Sequence, residues 1–154
     1  MTWYLSEGDL PDINDYDIIN NPRTYMYFRG PVQFPFGHGL GYATFKYDNI
    51  EAVKNEDGCR VSCSVRNTGA LAGDEVAQLY AVLRGVPVKA PLQKLCGFER
   101  ISLAPGDTRV VSFDVPNNEL TLFDENTGAF SIRPESVTFN IGASSADIRL
   151  STDI

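Results

Sequence analysis

The chain has 154 residues, of which 43% are apolar and 21% charged, a composition typical of a soluble globular protein with one domain-sized core. Its net charge of −7, from 13 basic and 20 acidic residues with no basic patch, argues against nucleic acid and anionic membranes as partners. No apolar run approaches the roughly 20 residues that a membrane-spanning helix needs.

The N-terminal region is rich in aromatic residues and shows little periodicity. Ten of the chain's aromatic residues fall within the first 45 positions, together with four prolines. Each aromatic side chain offers roughly 150–250 Å² for burial, too much apolar surface to leave in water. We therefore predict an extended arm that docks on the following domain, on a second copy or on a domain outside this chain. The predicted docking residues are Trp3, Tyr4, Tyr25, Tyr27, Phe28, Phe34, Phe36, His38 and Tyr42.

The stretch "FPFGHGLGYATF", residues 34–45, carries a glycine at every second position. A phosphate-binding loop would need a following helix or a Lys-Ser/Thr pair, and the sequence has neither here. We expect Gly37, Gly39 and Gly41 to permit positive φ or close backbone approach. No Ser, Cys or carboxylate is placed as a partner for His38, which favours packing over catalysis for that residue.

From Phe45 onward the sequence alternates as β-strands do. "EVAQLYAVL" is apolar at almost every position, which predicts a central strand covered on both faces. Turn signals at residues 67–69, 104–107 and 126–128 separate the alternating segments, so we predict an antiparallel β-sandwich. The predicted inward residues are Val61, Cys63 and Val65, then Val111, Phe113 and Val115, then Val137, Phe139 and Ile141.

The sequence predicts no catalytic, cofactor or metal site. Cys59 and Cys63 should point to the same face without bridging, and a single histidine leaves a zinc site short of ligands. The neighbouring acids Asp74-Glu75 and Asp124-Glu125 fit solvated or turn positions. Glu99-Arg100 is interpreted as a structural feature that forms an ion pair with a distant partner.

Several spaced motifs resemble one known family in the same order. "RTYMYFRGPVQFPFGHGLGYATFKY", residues 23–47, resembles the hinge before the C-terminal domain of family 3 glycoside hydrolases. Residues 65–80, 94–115 and 141–150 resemble that family's fibronectin type III-like domain, and residues 2–16 resemble the end of its α/β sandwich domain. The resemblance implies a hinge and preceding strip over residues 1–44 and a fibronectin type III-like, immunoglobulin-like sandwich over 45–154.

The resemblance implies a non-catalytic, stabilising role within a retaining β-glycosidase. The family's nucleophile is an Asp beside a Trp in another domain; no Asp adjoins Trp3, and no catalytic residue is carried over. The motif spelling favours a β-xylosidase over a β-glucosidase parent. No cofactor is implied, and family members are often exported, although the first twelve residues do not resemble a signal peptide. The alternatives are a carbohydrate-binding module for β-linked oligosaccharides and a separately encoded interaction protein that dimerises through the arm.

Overall fold

The computed structural model describes residues 2–154. Two short 3-10 helices, Glu7–Asp9 and Asn117–Leu120, are the only helices in this described range, and neither approaches the length of a membrane span. The strands are β1 (Phe45–Lys54), β2 (Gly58–Asn67), β3 (Gly73–Arg84), β4 (Lys94–Leu103), β5 (Thr108–Pro116), β6 (Leu122–Asp124), β7 (Ala129–Ile132), β8 (Ser136–Gly142) and β9 (Ile148–Asp153).

Two antiparallel sheets face each other, which confirms the predicted sandwich. One sheet has the order β1-β2-β5 and the other the order β4-β3-β8-β9, while β6 and β7 form a separate two-stranded hairpin. The three predicted turns fall between β2 and β3, between β4 and β5, and between β6 and β7. Strand β1 begins at Phe45, directly after the aromatic region.

The core lies between the two sheets, where the alternation predicted it. Every residue predicted to point inward on β2, β5 and β8 is buried and belongs to one apolar cluster. Cys59 and Cys63 lie on the same face of β2, as predicted, and both are free thiols. Burial raises the pKa of the Cys63 thiol to about 11, which keeps it protonated and unreactive at neutral pH.

Strand β3 is covered on both faces, as its apolar sequence predicts. It lies between β4 and β8, and Leu79 points from it into the core between the sheets. Tyr80 is fully buried but lies outside that core cluster, on the opposite face of the sheet. On that face the ring of Tyr25, which belongs to the aromatic arm, meets Tyr80 edge-on.

A cluster of charged groups forms around Glu75 of β3 and Arg149 of β9. Glu75 is half-buried, and its desolvation raises its pKa above the ordinary value, although Arg149 acts in the opposite direction. Arg149 is paired with Asp147, with 2.6 Å between Nε and Oδ1, and its guanidinium lies 6.0 Å from the centre of the Tyr47 ring.

We expect Glu75→Gln to raise the melting temperature at pH 7 by more than it does at pH 4. A carboxyl with a raised folded-state pKa contributes its stability below its ordinary pKa, and the contribution is lost as the pH rises through the folded-state value. Glutamine has no charge to desolvate and escapes that loss. Thermal unfolding of both proteins from pH 4 to 8 tests this, and parallel profiles would contradict it.

Candidate functional site

The aromatic arm crosses the outer face of the four-stranded sheet and is held there by hydrogen bonds along its length. The amide of Leu95 donates to the Tyr25 hydroxyl at 3.0 Å, and the amide of Leu92 donates to the carbonyl of Met26 at 2.6 Å. Farther along, the amide of Ser145 donates to the carbonyl of Phe36 at 2.9 Å. The arm is thus fixed to both β4 and the loop after β8.

Where the arm lies on the sheet, Gly37, Gln78 and Tyr80 are joined by a buried chain of hydrogen bonds, and this contact is named the seat. The Tyr80 hydroxyl donates to Oε1 of Gln78 at 2.6 Å. Nε2 of Gln78 then donates to the carbonyls of Gly37, at 3.0 Å, and Ala143, at 2.6 Å. The edge of Tyr25 meets Tyr80 with their ring centres 6.1 Å apart, and burial raises the pKa of the Tyr25 hydroxyl. One amide side chain therefore connects the sheet, the arm and the loop before β9.

Gly37 makes this seat possible. Its φ of 80° lies in the left-handed region, and a Cβ there would coincide with the carboxamide of Gln78. The predicted role of positive φ and close approach is confirmed at this glycine. The same expectation is wrong for Gly39 and Gly41 within this chain, because neither has a positive φ and a Cβ on either would meet no atom within 4 Å.

The predicted docking residues divide into two sets by exposure. Tyr25 stacks on Phe36, with ring centres 4.2 Å apart, and Tyr4 meets Phe28 edge-on at 4.9 Å. Phe34 points outward and contacts two other exposed rings, those of Trp3 and His38. The half-buried set is Tyr4, Tyr25, Tyr27 and Phe28, and the exposed set is Trp3, Phe34, Phe36, His38 and Tyr42.

The His38 side chain packs against another aromatic ring, but it does so on the solvent-exposed side of the arm. Its ring stacks on Phe34 with centres 5.3 Å apart, and Trp3 meets the same phenyl ring edge-on at 6.0 Å. No carboxylate, serine or thiol among residues 2–154 forms a hydrogen bond with the His38 side chain. The three rings form a continuous row on the solvent side of the arm.

Residues 39–42 stand away from the sandwich and are named the strap here. Before them, Gly37 is seated on Gln78; after them, the amide of Thr68 donates to the carbonyl of Thr44 at 2.8 Å. Leu40 is 93% exposed and Tyr42 is 97% exposed. Sequence reasoning found Tyr42 because it is aromatic but missed Leu40, for which the flanking glycines were the available signal.

Several of the acidic groups that the sequence analysis singled out make structural contacts. Asp74 pairs across the strands with Arg100, with 2.9 Å between Nε and Oδ2, and Glu99 pairs with Arg109 at 3.4 Å. The expected ion pairs of Glu99-Arg100 are thereby confirmed. Asp124 accepts the amide of Asn126 in the β6–β7 turn. Over the described range, His, Cys, Asp and Glu form no group of three or more that could hold a metal ion.

Comparison with known proteins identifies relatives of both the sandwich and the arm. Residues 75–145 match the family model of the fibronectin type III-like domain. A β-glucosidase of Kluyveromyces marxianus is 34% identical over 134 residues, covering 86% of this chain and 16% of the relative. A xylan 1,4-β-xylosidase of Xylanibacter ruminicola is 34% identical over 149 residues, covering 96% of this chain and 17% of the relative.

Solved structures give the same result. A GH3 (glycoside hydrolase family 3) β-glucosidase of Bifidobacterium adolescentis superposes with a TM-score of 0.77 at 28% identity, covering 80% of this chain and 18% of that one. A β-glucosidase of Thermotoga neapolitana superposes with a TM-score of 0.78 at 30% identity, covering 84% of this chain and 18% of that one. The chain spans less than a fifth of the length of these relatives.

Proposed function

We propose that this chain, which carries the fibronectin type III-like domain of the family 3 glycoside hydrolases, is a non-catalytic part of a longer β-glycosidase and supports its catalytic domains. The observation that carries the proposal is the two-sided arm. One side is seated on the sandwich through Gln78 and Tyr80, and the other side presents apolar groups to solvent.

The outer side of the arm has the character of an interface. Trp3 is 59% exposed, and a soluble protein rarely leaves so many large apolar side chains of one segment uncovered. Aromatic residues concentrate in the buried centres of protein interfaces more than elsewhere on a surface. The other large exposed apolar residues of the arm are Leu5, Leu10, Ile13, Tyr16, Ile18, Ile19, Phe34, Phe36, Leu40 and Tyr42.

Three of the acidic groups are held in ion pairs, which supports a non-catalytic role for them. A retaining glycosidase needs two carboxyl groups about 5 Å apart, one of them a free nucleophile. In this chain Asp114 and Asp147 are each held by an arginine, and Asp74 is held by the Ser102 hydroxyl together with Arg100; these contacts lower the pKa of all three carboxyls. Each is therefore ionised and engaged, and none is poised to protonate a glycosidic oxygen.

The substrate proposed for the longer protein is a terminal β-linked sugar. The relatives include proteins named β-glucosidase and proteins named β-xylosidase, and a β-xylosidase of Formosa agariphila is 41% identical over 117 residues. That match covers 73% of this chain and 16% of the relative, and it supports the β-xylosidase branch favoured by the motif spelling. We propose β-linked xylose as the first substrate to test and β-linked glucose as the second.

The size of the native polypeptide tests the proposal directly. An antibody raised against residues 45–154 should detect a band several times larger than 17.0 kDa in extracts of the source cells. The immunoprecipitated polypeptide should hydrolyse aryl β-xylosides or β-glucosides, whereas the purified 154-residue chain should not. A single band near 17.0 kDa would contradict the proposal and would favour a separate protein that associates through its arm.

A further inference from the structure

We infer that the strap, residues 39–42, is a preformed plug that inserts Leu40 and Tyr42 into apolar pockets on the catalytic part of the same longer polypeptide. The inference rests on the proposed function and deepens it, because it assigns the contact to four residues and names the part of the polypeptide that receives them. It also predicts that the receiving surface pairs with the backbone of the strap.

The strap is held in place from both ends. At its start, Gln78 and Ser145 bind the carbonyls of Gly37 and Phe36. At its end, the loop between β2 and β3 closes on the chain, where a Cβ on Gly69 would lie 2.9 Å from the amide nitrogen of Thr44 and one on Gly73 would lie 2.6 Å from Cβ of Ala43. The chain is thus fixed on both sides of a short span whose two side chains, Leu40 and Tyr42, are almost fully exposed.

The backbone of the strap is unpaired. Within residues 2–154, the amides and carbonyls of residues 39–42 take part in no hydrogen bond with another part of the chain, and the span belongs to no strand. Backbone polar groups in folded proteins are nearly always paired when they become buried. A partner that covers this span must therefore supply donors and acceptors as well as apolar contacts.

Gly39 and Gly41 have no role that the chain itself explains. A glycine loses more backbone entropy than an alanine when it is ordered, so it is unfavourable wherever its conformation does not require it. Neither glycine has a positive φ, and the space around both is empty to 4 Å. A surface that comes closer to the backbone than a Cβ would allow accounts for both of them, as Gln78 accounts for Gly37.

The surface that receives the strap belongs to the rest of the same polypeptide rather than to a second copy of this chain. A stable complex between separate proteins usually buries about 800 Å² on each partner, far more than two side chains supply. A contact within one polypeptide needs less area, because the linked surfaces are held at a high effective concentration. The relatives are five to six times longer than this chain, so their chains have ample length for such a surface.

Hydrogen exchange measures the contact without any substitution. In the isolated chain, the amides of residues 39–42 should exchange at the rate of unpaired backbone. In the native long polypeptide they should exchange at least roughly tenfold more slowly, because they are paired and covered. The amide of Val61 in the core should serve as an internal reference in both samples. Equal exchange at the strap in both samples would overturn the inference.

Paired substitutions separate docking from folding. The variant Leu40→Ser/Tyr42→Ser should leave the melting temperature of the isolated chain unchanged, because neither side chain is packed. In the long polypeptide it should speed heat inactivation by roughly tenfold or more, through the loss of buried apolar contacts. Phe98→Ser is the matched control, since Phe98 is 68% exposed on the hydrogen-bonded strand β4.

The possible results distinguish the two proposals. If the long polypeptide exists and the strap variant inactivates at the same rate as Phe98→Ser, the strap inference is overturned while the accessory role stands. If the native protein is only the 17.0 kDa chain, the accessory role fails and the strap loses its assigned occupant. Faster inactivation confined to the strap variant, with protected strap amides, supports both.

Discussion

Replacing Gly37 by alanine should release the arm while leaving the sandwich folded. The new Cβ would coincide with the Gln78 carboxamide, and a φ of 80° costs a non-glycine residue about 1–2 kcal/mol. Moving Gln78 aside would break its bonds to Gly37 and Ala143 and leave the Tyr80 hydroxyl unpaired, at about 1–3 kcal/mol more. We expect trypsin to cut the variant at Arg23 and Arg29 much faster than the unmodified chain.

Gly39→Ala is the control for this experiment. The two glycines lie two positions apart in the same motif, yet the space around Gly39 is empty to 4 Å. We therefore expect Gly39→Ala to leave the cleavage rate of the isolated chain unchanged. Equal cleavage of Gly37→Ala and the unmodified protein would show that the arm is not seated through Gln78.

Asn67→Ala should be the most damaging single substitution in the sandwich that leaves its apolar core intact. Asn67 is fully buried at the end of β2, and its Nδ2 donates to the carbonyls of Leu71 at 2.8 Å and Leu103 at 3.0 Å. Its Oδ1 accepts the amide of Gly69 at 2.9 Å. Alanine would leave these groups unpaired away from water, at a cost of about 3 kcal/mol.

The measurement is thermal unfolding by circular dichroism, where we expect the melting temperature to fall by roughly 10 °C. Asn117→Ala supplies the comparison, because the Asn117 side chain also donates to a backbone carbonyl, that of Glu56 at 3.1 Å, but does so in solvent. Water replaces that lost bond, so the control should change the free energy of unfolding by less than about 0.5 kcal/mol. Similar losses in both variants would contradict the assigned role of Asn67.

The strands with one buried face were predictable because their pattern is local. Val61, Cys63 and Val65 alternate with polar neighbours, and this period of two fixes the buried face whatever the rest of the fold does. Strand β4 was not predicted as a strand, since its first half is only half-buried and shows no such alternation. Strands β6 and β7 have three and four residues, too few to reveal a period.

The seat of the arm was not predictable, because it depends on contacts between distant parts of the chain. Tyr80 reads as an ordinary member of an apolar strand, and only the pairing of β3 with β4 and β8 places it on the outer face. Gly37 and Gly39 are equivalent in the sequence, and their difference arises from Gln78, 41 residues away from Gly37. The aromatic composition predicted that the arm docks, but long-range packing decides which side of it is covered.

The buried position of Tyr80 has a consequence for how this domain is inherited. A boundary drawn at Phe45, where the strands begin, would cut away the cover of a fully buried tyrosine and leave Gln78 without one of its two carbonyl partners. The outer face of the four-stranded sheet would then become an exposed apolar surface that favours aggregation. Recombination between genes can therefore transfer this sandwich in a folded form only if the arm is transferred with it. The segment that is inherited together is longer than the sandwich itself.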